Sequence, residues 1–179
     1  MENAIDAGAT RVHVECAAGG KSVLRVIDNG AGMSKDDLPL ALSRHATSKI
    51  SSIKDLESVL SMGFRGEALA SIASVSRFSI VSRTSDSDVA WKITAHGAVS
   101  TDWVSEPFSK PIPVGTMVEV RDLFFRVPGR QKFLGSTQRE LRRMRDAFKR
   151  VAMAHQDVAR TYGKRYRCRC NTCARRVRS

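Results

Sequence analysis

Long apolar runs are missing from this chain: nothing in it approaches the roughly 18 consecutive apolar residues of a membrane span. The N-terminus has no basic segment followed by an apolar one, so no secretory signal is recognisable. Cysteine is scarce. Of four in 179 residues, Cys168, Cys170 and Cys173 crowd near the C-terminus and only Cys16 lies in the body. That excludes a disulfide framework and fits reduced thiols. Proline is scarce too, and three of the five fall within 105–114, the mark of a loop at a sheet edge. Acidic residues are absent from 160–179, which holds eight of the 30 Lys and Arg; 22 remain in residues 1–159 against 18 acids. The net charge of +12 therefore belongs mostly to the tail. A soluble, cytoplasmic chain is expected, long enough for one domain with a core and too short for two.

What is present reads as alternating elements. Residues 1–7 look like the last turns of a helix stopped by Gly8. Arg11–Cys16 and Ser22–Asp28 alternate across a Gly19-Gly20 turn and predict a hairpin. Ser34 with Asp37, and Ser52 with Asp55, resemble capping boxes, the first opening a helix through about Ser43. Gly66–Val75 reads as a short helix. Arg77–Thr84, Val89–His96 and Gly115–Asp122 are β-branched runs bounded by turn formers. Gln138–His155 is the longest helical pattern, with Leu141, Met144, Phe148, Val151 and His155 on one face. The order predicts a two-layer α/β sandwich, with a mixed, mostly antiparallel sheet and helices on one face.

Three separated motifs carry candidate chemistry. Asn3 offers an amide oxygen of the kind Mg²⁺ accepts beside phosphate oxygens and water. Asp28, at the end of a strand and followed by Gly30 and Gly32, can accept a hydrogen bond from a purine amine while glycine lets the backbone approach. Gly63 and Gly66, before the helix near Glu67, can present backbone N–H groups to phosphate, and Arg44, Thr47, Ser48 and Lys49 form a polar stretch suited to a lid. Each has a plainer alternative: a solvated helix residue, a hairpin turn at Asp28-Asn29-Gly30, a surface ion pair between Arg65 and Glu67, a tight helix entry. Their joint occurrence in this order favours the nucleotide reading.

With these residues the chain resembles the MutL family of DNA mismatch repair proteins, within the gyrase, chaperone, histidine-kinase and MutL (GHKL) ATPases. The matching stretches are Glu2-Asn3-Ala4-Ile5-Asp6-Ala7-Gly8-Ala9-Thr10, Asp28-Asn29-Gly30-Ala31-Gly32-Met33, Arg44-His45-Ala46-Thr47-Ser48-Lys49 and Gly63-Phe64-Arg65-Gly66-Glu67-Ala68-Leu69, extended by Val114-Gly115-Thr116 and by Pro128–Leu134. The resemblance covers about residues 2–158 and implies a Bergerat-type site for ATP and Mg²⁺. It implies that Asn3 holds the metal, Asp28 recognises adenine with Gly30, Gly32 and Thr116 nearby, and Thr47, Ser48, Lys49, Gly63, Phe64, Arg65 and Gly66 form the phosphate lid. It also implies ATP-dependent homodimers, weak non-specific DNA contact, and mismatch-recognition and downstream repair proteins as partners. A kinase or topoisomerase of the same superfamily is disfavoured by Gly-Phe-Arg-Gly-Glu-Ala-Leu.

The family's general base, a glutamate four positions before the metal asparagine, would precede Met1. Glu2 points about 100° away around the helix and is no substitute. The chain is therefore expected to be truncated, with no catalytic residue of its own, impaired hydrolysis and impaired dimerisation; the alternative is a non-hydrolysing nucleotide- or DNA-binding remnant. Residues 1–159 are expected to form the ATPase domain and 160–179 a frameshifted or disordered basic tail. Rival readings of the tail are an incomplete zinc site at Cys168, Cys170 and Cys173 and an arm for DNA phosphates. The basic residues of Gln138–His155 are either a solvated face or a DNA contact. His13, His45, His96 and His155 have no partner at metal spacing.

Overall fold

A computed structural model describes residues 1–43, 68–97, 103–155 and 158–164. Its centre is a sheet of seven strands: β1 (Arg11–Ala17), β2 (Val23–Asp28), β3 (Arg77–Arg83), β4 (Trp91–His96), β5 (Glu106–Pro107), β6 (Gly115–Arg121) and β7 (Ala159–Lys164). Their order across the sheet is β5-β4-β3-β6-β2-β1-β7. The first six are joined antiparallel and β7 runs parallel to β1. The expected mixed, mostly antiparallel sheet is what the chain forms.

The alternation seen in the sequence becomes three cross-strand rows on one face. Cys16, Leu24, Val120, Phe78 and Ala95 form one row, and Val14, Val26, Val118, Ile80 and Ile93 the next. The third row contains Val12, Asp28, Thr116, Ser82 and Trp91. The first two rows are wholly apolar; the third turns polar at its centre. Over the apolar rows lie α2 (Asp37–Leu40) and α3 (Ala68–Ser74), which bring Leu38, Leu42 and Ala73 onto Phe78, Ile80 and Ile93. A second cluster joins Ala4 and Ala9 to Val12, Val14 and Val158, with Phe148 packed against it. Ala4 lies on α1 (Glu2–Asp6), Val12 and Val14 on β1, and Phe148 on α5 (Thr137–Ala154). The helices thus share one face, as expected.

Several boundaries differ for local reasons. Ser34 Oγ accepts from Asp37 N–H at 3.2 Å and donates to Asp37 Oδ2 at 2.7 Å, a side-chain pair in place of the expected capping box, and the helix runs only from Asp37 to Leu40. The next N–H groups, Leu42 and Ser43, bond three residues back to Pro39 and Leu40, so the chain tightens into turns. The loop 105–114 contributes the two-residue edge strand β5. The connection between β1 and β2 is a 3-10 turn, Ala18–Gly20, and α5 packs on it: Met144 sulfur lies 3.1 Å from where a Cβ on Gly20 would stand. A short helix, α4 (Pro128–Gln131), precedes α5. The boundary placed at 159/160 is overrun, because residues up to Lys164 pair with β1 from Arg11↔Ala159 to Cys16↔Lys164. A parallel ladder is made by backbone groups and needs no apolar alternation, which is why the tail's composition hid it. Ser52 with Asp55, and the cysteines at 168, 170 and 173, lie outside the described residues. No described helix is long and apolar enough to cross a membrane.

The opposite face of the sheet carries Ile27, Met117 and the buried Val81 in one row and a charge ladder in the next. Arg25 on β2 faces Glu15 on β1 and Glu119 on β6 in register, and its guanidinium bonds Glu15 Oε2 at 3.0 Å and Glu119 through two nitrogens. Arg121 adds a further bond to Glu119. Partial burial alone would raise the Glu119 carboxyl; the Arg121 and Arg25 hydrogen bonds outweigh it and hold the group below the ordinary glutamate range. A lowered carboxyl stabilises the fold above its unfolded pKa, and that contribution is lost as pH falls through the folded value. Acid titrations followed by circular dichroism are expected to show Glu119→Gln losing less stability than the unchanged chain below about pH 4. Arg25→Ala is expected to cost about 1–3 kcal/mol in urea denaturation, because it removes the guanidinium that Glu15 and Glu119 share and leaves Glu119 to Arg121 alone.

Candidate functional site

The polar row at the end of the apolar face gathers the adenine-side residues expected from the sequence. Asp28 ends β2 directly opposite Thr116 of β6. Its Oδ1 accepts Gly30 N–H at 3.0 Å and Thr116 N–H at 3.3 Å. One carboxylate oxygen is thereby fixed by backbone, which aims the rest of the group. Burial raises the carboxyl's pKa, opposed by the hydrogen bonds from Gly30 and Thr116. The charge is held in a half-covered place that disfavours it, the circumstance in which a ligand's donor hydrogen is most welcome.

Asn29, beside it, has a different task. Its Oδ1 accepts Arg11 N–H at 2.7 Å and its Nδ2 donates to Thr10 Oγ1 at 2.8 Å, tying the end of β2 to the start of β1. The structural part of this stretch is thus carried by Asn29, which leaves the neighbouring carboxylate outside that linkage.

The loop after Asp28 is clamped on both sides. Ala31 N–H bonds the Ala7 carbonyl at 2.9 Å, joining the loop to the end of α1. Gly32 has φ +78°, and a Cβ there would stand 2.2 Å from the Arg83 carbonyl oxygen. Gly115 is equally constrained: at φ +133° its Cβ would stand 2.1 Å from the Asp28 carbonyl oxygen. Only glycine lets β6 begin this close to the end of β2.

Ser82 completes the row and was not among the residues expected from the sequence. It is fully buried, and its Oγ lies 2.8 Å from Met33 N, 3.0 Å from the Gly115 carbonyl and 2.9 Å from Thr116 Oγ1. A usable signal existed: at 78, 80 and 82 the inward parity of β3 reads Phe, Ile, Ser, a hydroxyl on the core side of a strand. Beyond it Trp91 closes the row, with Lys35 Nζ 4.9 Å from its ring centre.

Asn3 is exposed on α1, one helical turn before Ala7. Among the described residues no group of three or more His, Cys, Asp or Glu could hold a metal ion, so a cation here would need oxygens from a ligand. Thr47, Ser48, Lys49, Gly63, Phe64, Arg65 and Gly66 lie outside the described residues. A separate cleft of about 440 Å³ is lined by Arg83, Asp88, Phe108, Lys110 and Ile112 among others. It includes none of Asp28, Thr116 or Ser82, and Arg83 there is spent on the Ile112 and Ser87 carbonyls.

Comparison with known proteins gives the arrangement its context. The family model for histidine kinase-, DNA gyrase B-, and HSP90-like ATPases matches residues 1–121. The DNA mismatch repair protein MutL of Cellvibrio japonicus is 53% identical over 159 residues, 89% of this chain and 25% of that protein. MutL of Pseudomonas fluorescens is 52% identical over the same length. The chain thus spans about a quarter of the length of the relatives it matches. Among solved structures, the Aquifex aeolicus MutL ATPase domain complexed with ADP matches with a TM-score of 0.68 and 33% identity, over 91% of this chain and 55% of that one.

The clamp around Gly32 makes a direct prediction. Gly32→Ala is expected to destabilise the domain by at least about 1 kcal/mol in denaturant melts, whereas Gly129→Ala, where a Cβ meets nothing within 4 Å, is expected to leave the midpoint unchanged or raise it.

Proposed function

The chain belongs to the histidine kinase-, DNA gyrase B-, and HSP90-like ATPase family, in its MutL branch, and from that premise we propose that it binds ATP with Mg²⁺ and serves ATP-gated DNA mismatch repair. One observation carries the reading. Asp28 stands in a polar row at the end of a buried sheet face with one oxygen pinned by two backbone N–H groups. Its other oxygen is then available to accept the exocyclic amine of adenine, beside Thr116. Gly30 and Gly32 shape the wall between α1 and β3. The ADP bound in the Aquifex aeolicus relative supports a nucleotide in this fold.

The remaining roles follow the family pattern. Asn3 would contribute one neutral oxygen to Mg²⁺, too little to hold the ion alone, so phosphate oxygens and water would have to supply the remaining ligands. By that pattern Thr47, Ser48, Lys49, Gly63, Phe64, Arg65 and Gly66 are assigned to the phosphates. Closing that lid would drive homodimerisation and signal to mismatch-recognition and downstream repair proteins. Nucleotide binding is the property the described residues support.

DNA is the second proposed ligand. Helix α5 exposes Arg139, Arg142, Arg143, Arg145, Lys149 and Arg150, while Glu140 turns back to Gly135 N–H and Arg143. Such a face suits phosphate contact without base reading, with affinity that falls with salt.

Calorimetry with Mg²⁺ and a non-hydrolysable ATP analogue should show saturable binding, weakened at least about tenfold in Asp28→Asn; equal affinity in the two chains would overturn the adenine assignment. Because burial raises the Asp28 pKa, the ionised carboxylate costs stability as pH rises through the folded value, and the cost is absent below the unfolded one. Asp28→Asn should therefore melt at the same or a higher temperature at pH 7 while losing its ligand. Arg142→Glu with Arg143→Glu should weaken low-salt DNA binding across all sequences and flatten its salt dependence by about one unit of slope per lost contact; unchanged binding would assign α5 to plain solvation.

A further inference from the structure

We propose that Ser82 is a positioning residue of the adenine pocket: it fixes the Thr116 hydroxyl as a hydrogen-bond acceptor and joins the 30–33 loop to the β3–β6 wall. The proposal rests on the nucleotide reading above. A hydroxyl at 0% exposure inside a strand is costly unless fully bonded, and this one is surrounded by three partners on two segments, the 30–33 loop and the start of β6. Met33 N–H can only donate to it, at 2.8 Å. The Gly115 carbonyl can only accept from it, at 3.0 Å. Ser82 has a single proton, and the carbonyl takes it. The contact to Thr116 Oγ1 at 2.9 Å must then run the other way, with Thr116 donating.

With its proton committed to Ser82, Thr116 turns lone pairs toward the space beside Asp28. The polar row then shows a carboxylate and a hydroxyl oxygen, both acceptors. An edge carrying an amine, or a water that donates, is matched; an edge carrying a carbonyl oxygen, as on guanine, meets acceptors on both sides. Ser82 touches no ligand and acts through Thr116 and Met33.

The test uses the full chain, with Mg²⁺ and non-hydrolysable analogues of ATP and GTP, titrated by calorimetry into the unchanged protein, Ser82→Ala, Thr116→Val and the double variant. Ser82→Ala is expected to lose about tenfold affinity for the ATP analogue and to narrow the preference over the GTP analogue. In the Thr116→Val background the same change should have almost no effect. Unaltered affinity in Ser82→Ala, or an equal loss for both nucleotides that recurs in full beside Thr116→Val, would overturn the proposal. If the unchanged chain bound neither analogue, the nucleotide reading itself would fail, and amide hydrogen exchange would still decide the linkage. Ser82→Ala must then speed exchange at Met33 while Ile93, deep in the same sheet, keeps its protection; a uniform loss at both would mark Ser82 as merely structural.

Discussion

The register between β2 and β6 is the constraint on which the rest of this molecule depends. With Asp28 opposite Thr116, Leu24 and Val26 meet Val120 and Val118 on the helix side, and Arg25 meets Glu119 on the other. A slip of one residue would exchange the faces, burying Arg25 and turning Asp28 outward. Two independent forces hold the register against that slip. Apolar rows under α2 and α3 favour it from one side, and the Glu15, Arg25 and Glu119 ladder favours it from the other. Gly115 then permits the approach of β6 that brings Thr116 N–H to the Asp28 carboxylate.

Seen this way, the site is an extension of the sheet. The third cross-strand row is the same lattice as the two apolar rows, with carboxylate and hydroxyl in place of methyl groups. Its walls are supplied by segments far apart in sequence: Ala7 at the end of α1, the loop through Gly32 and Met33, and β3. A rigid sheet end lined by polar groups suits binding by pre-organisation, since the donors and acceptors are fixed before a ligand arrives. Helix α5 stands apart from this chemistry, anchored by Met144 on the Gly20 turn and by Phe148 on the second core cluster, with its basic residues outward.

Much of this was legible in the sequence because period and motif agreed. Alternation at Arg11–Cys16 and Ser22–Asp28 gave the hairpin, Gly8 gave the end of α1, and the Asp28 to Gly32 motif marked the polar end of the sheet face that we propose as the site. The elements that escaped notice were those without a local signal. Strand β7 is held by backbone pairing to β1 in a stretch of mixed polar residues. The role of Asn29 in tying β1 to β2 is a matter of register, as is the Arg25 ladder. Ser82 looked like one more polar residue in a β-branched run; only the parity of β3, read against Phe78 and Ile80, marks it as inward. The capping box expected at Ser34 is only half made, since Asp37 returns to the Ser34 hydroxyl rather than to its backbone N–H, and the helix is shorter than expected because the turns after Leu40 tighten.

The central claim is that the polar row of this sheet is where a nucleotide base sits. The most direct test is a nuclear magnetic resonance titration of the labelled chain with a non-hydrolysable ATP analogue and Mg²⁺. The account predicts the largest amide shifts at Asp28, Gly30, Met33 and Thr116, with the outer-face ladder around Arg25 and Glu119 almost still. Saturable binding whose shifts fall on the outer face or on the Arg83–Ile112 cleft, with the row unmoved, would contradict it.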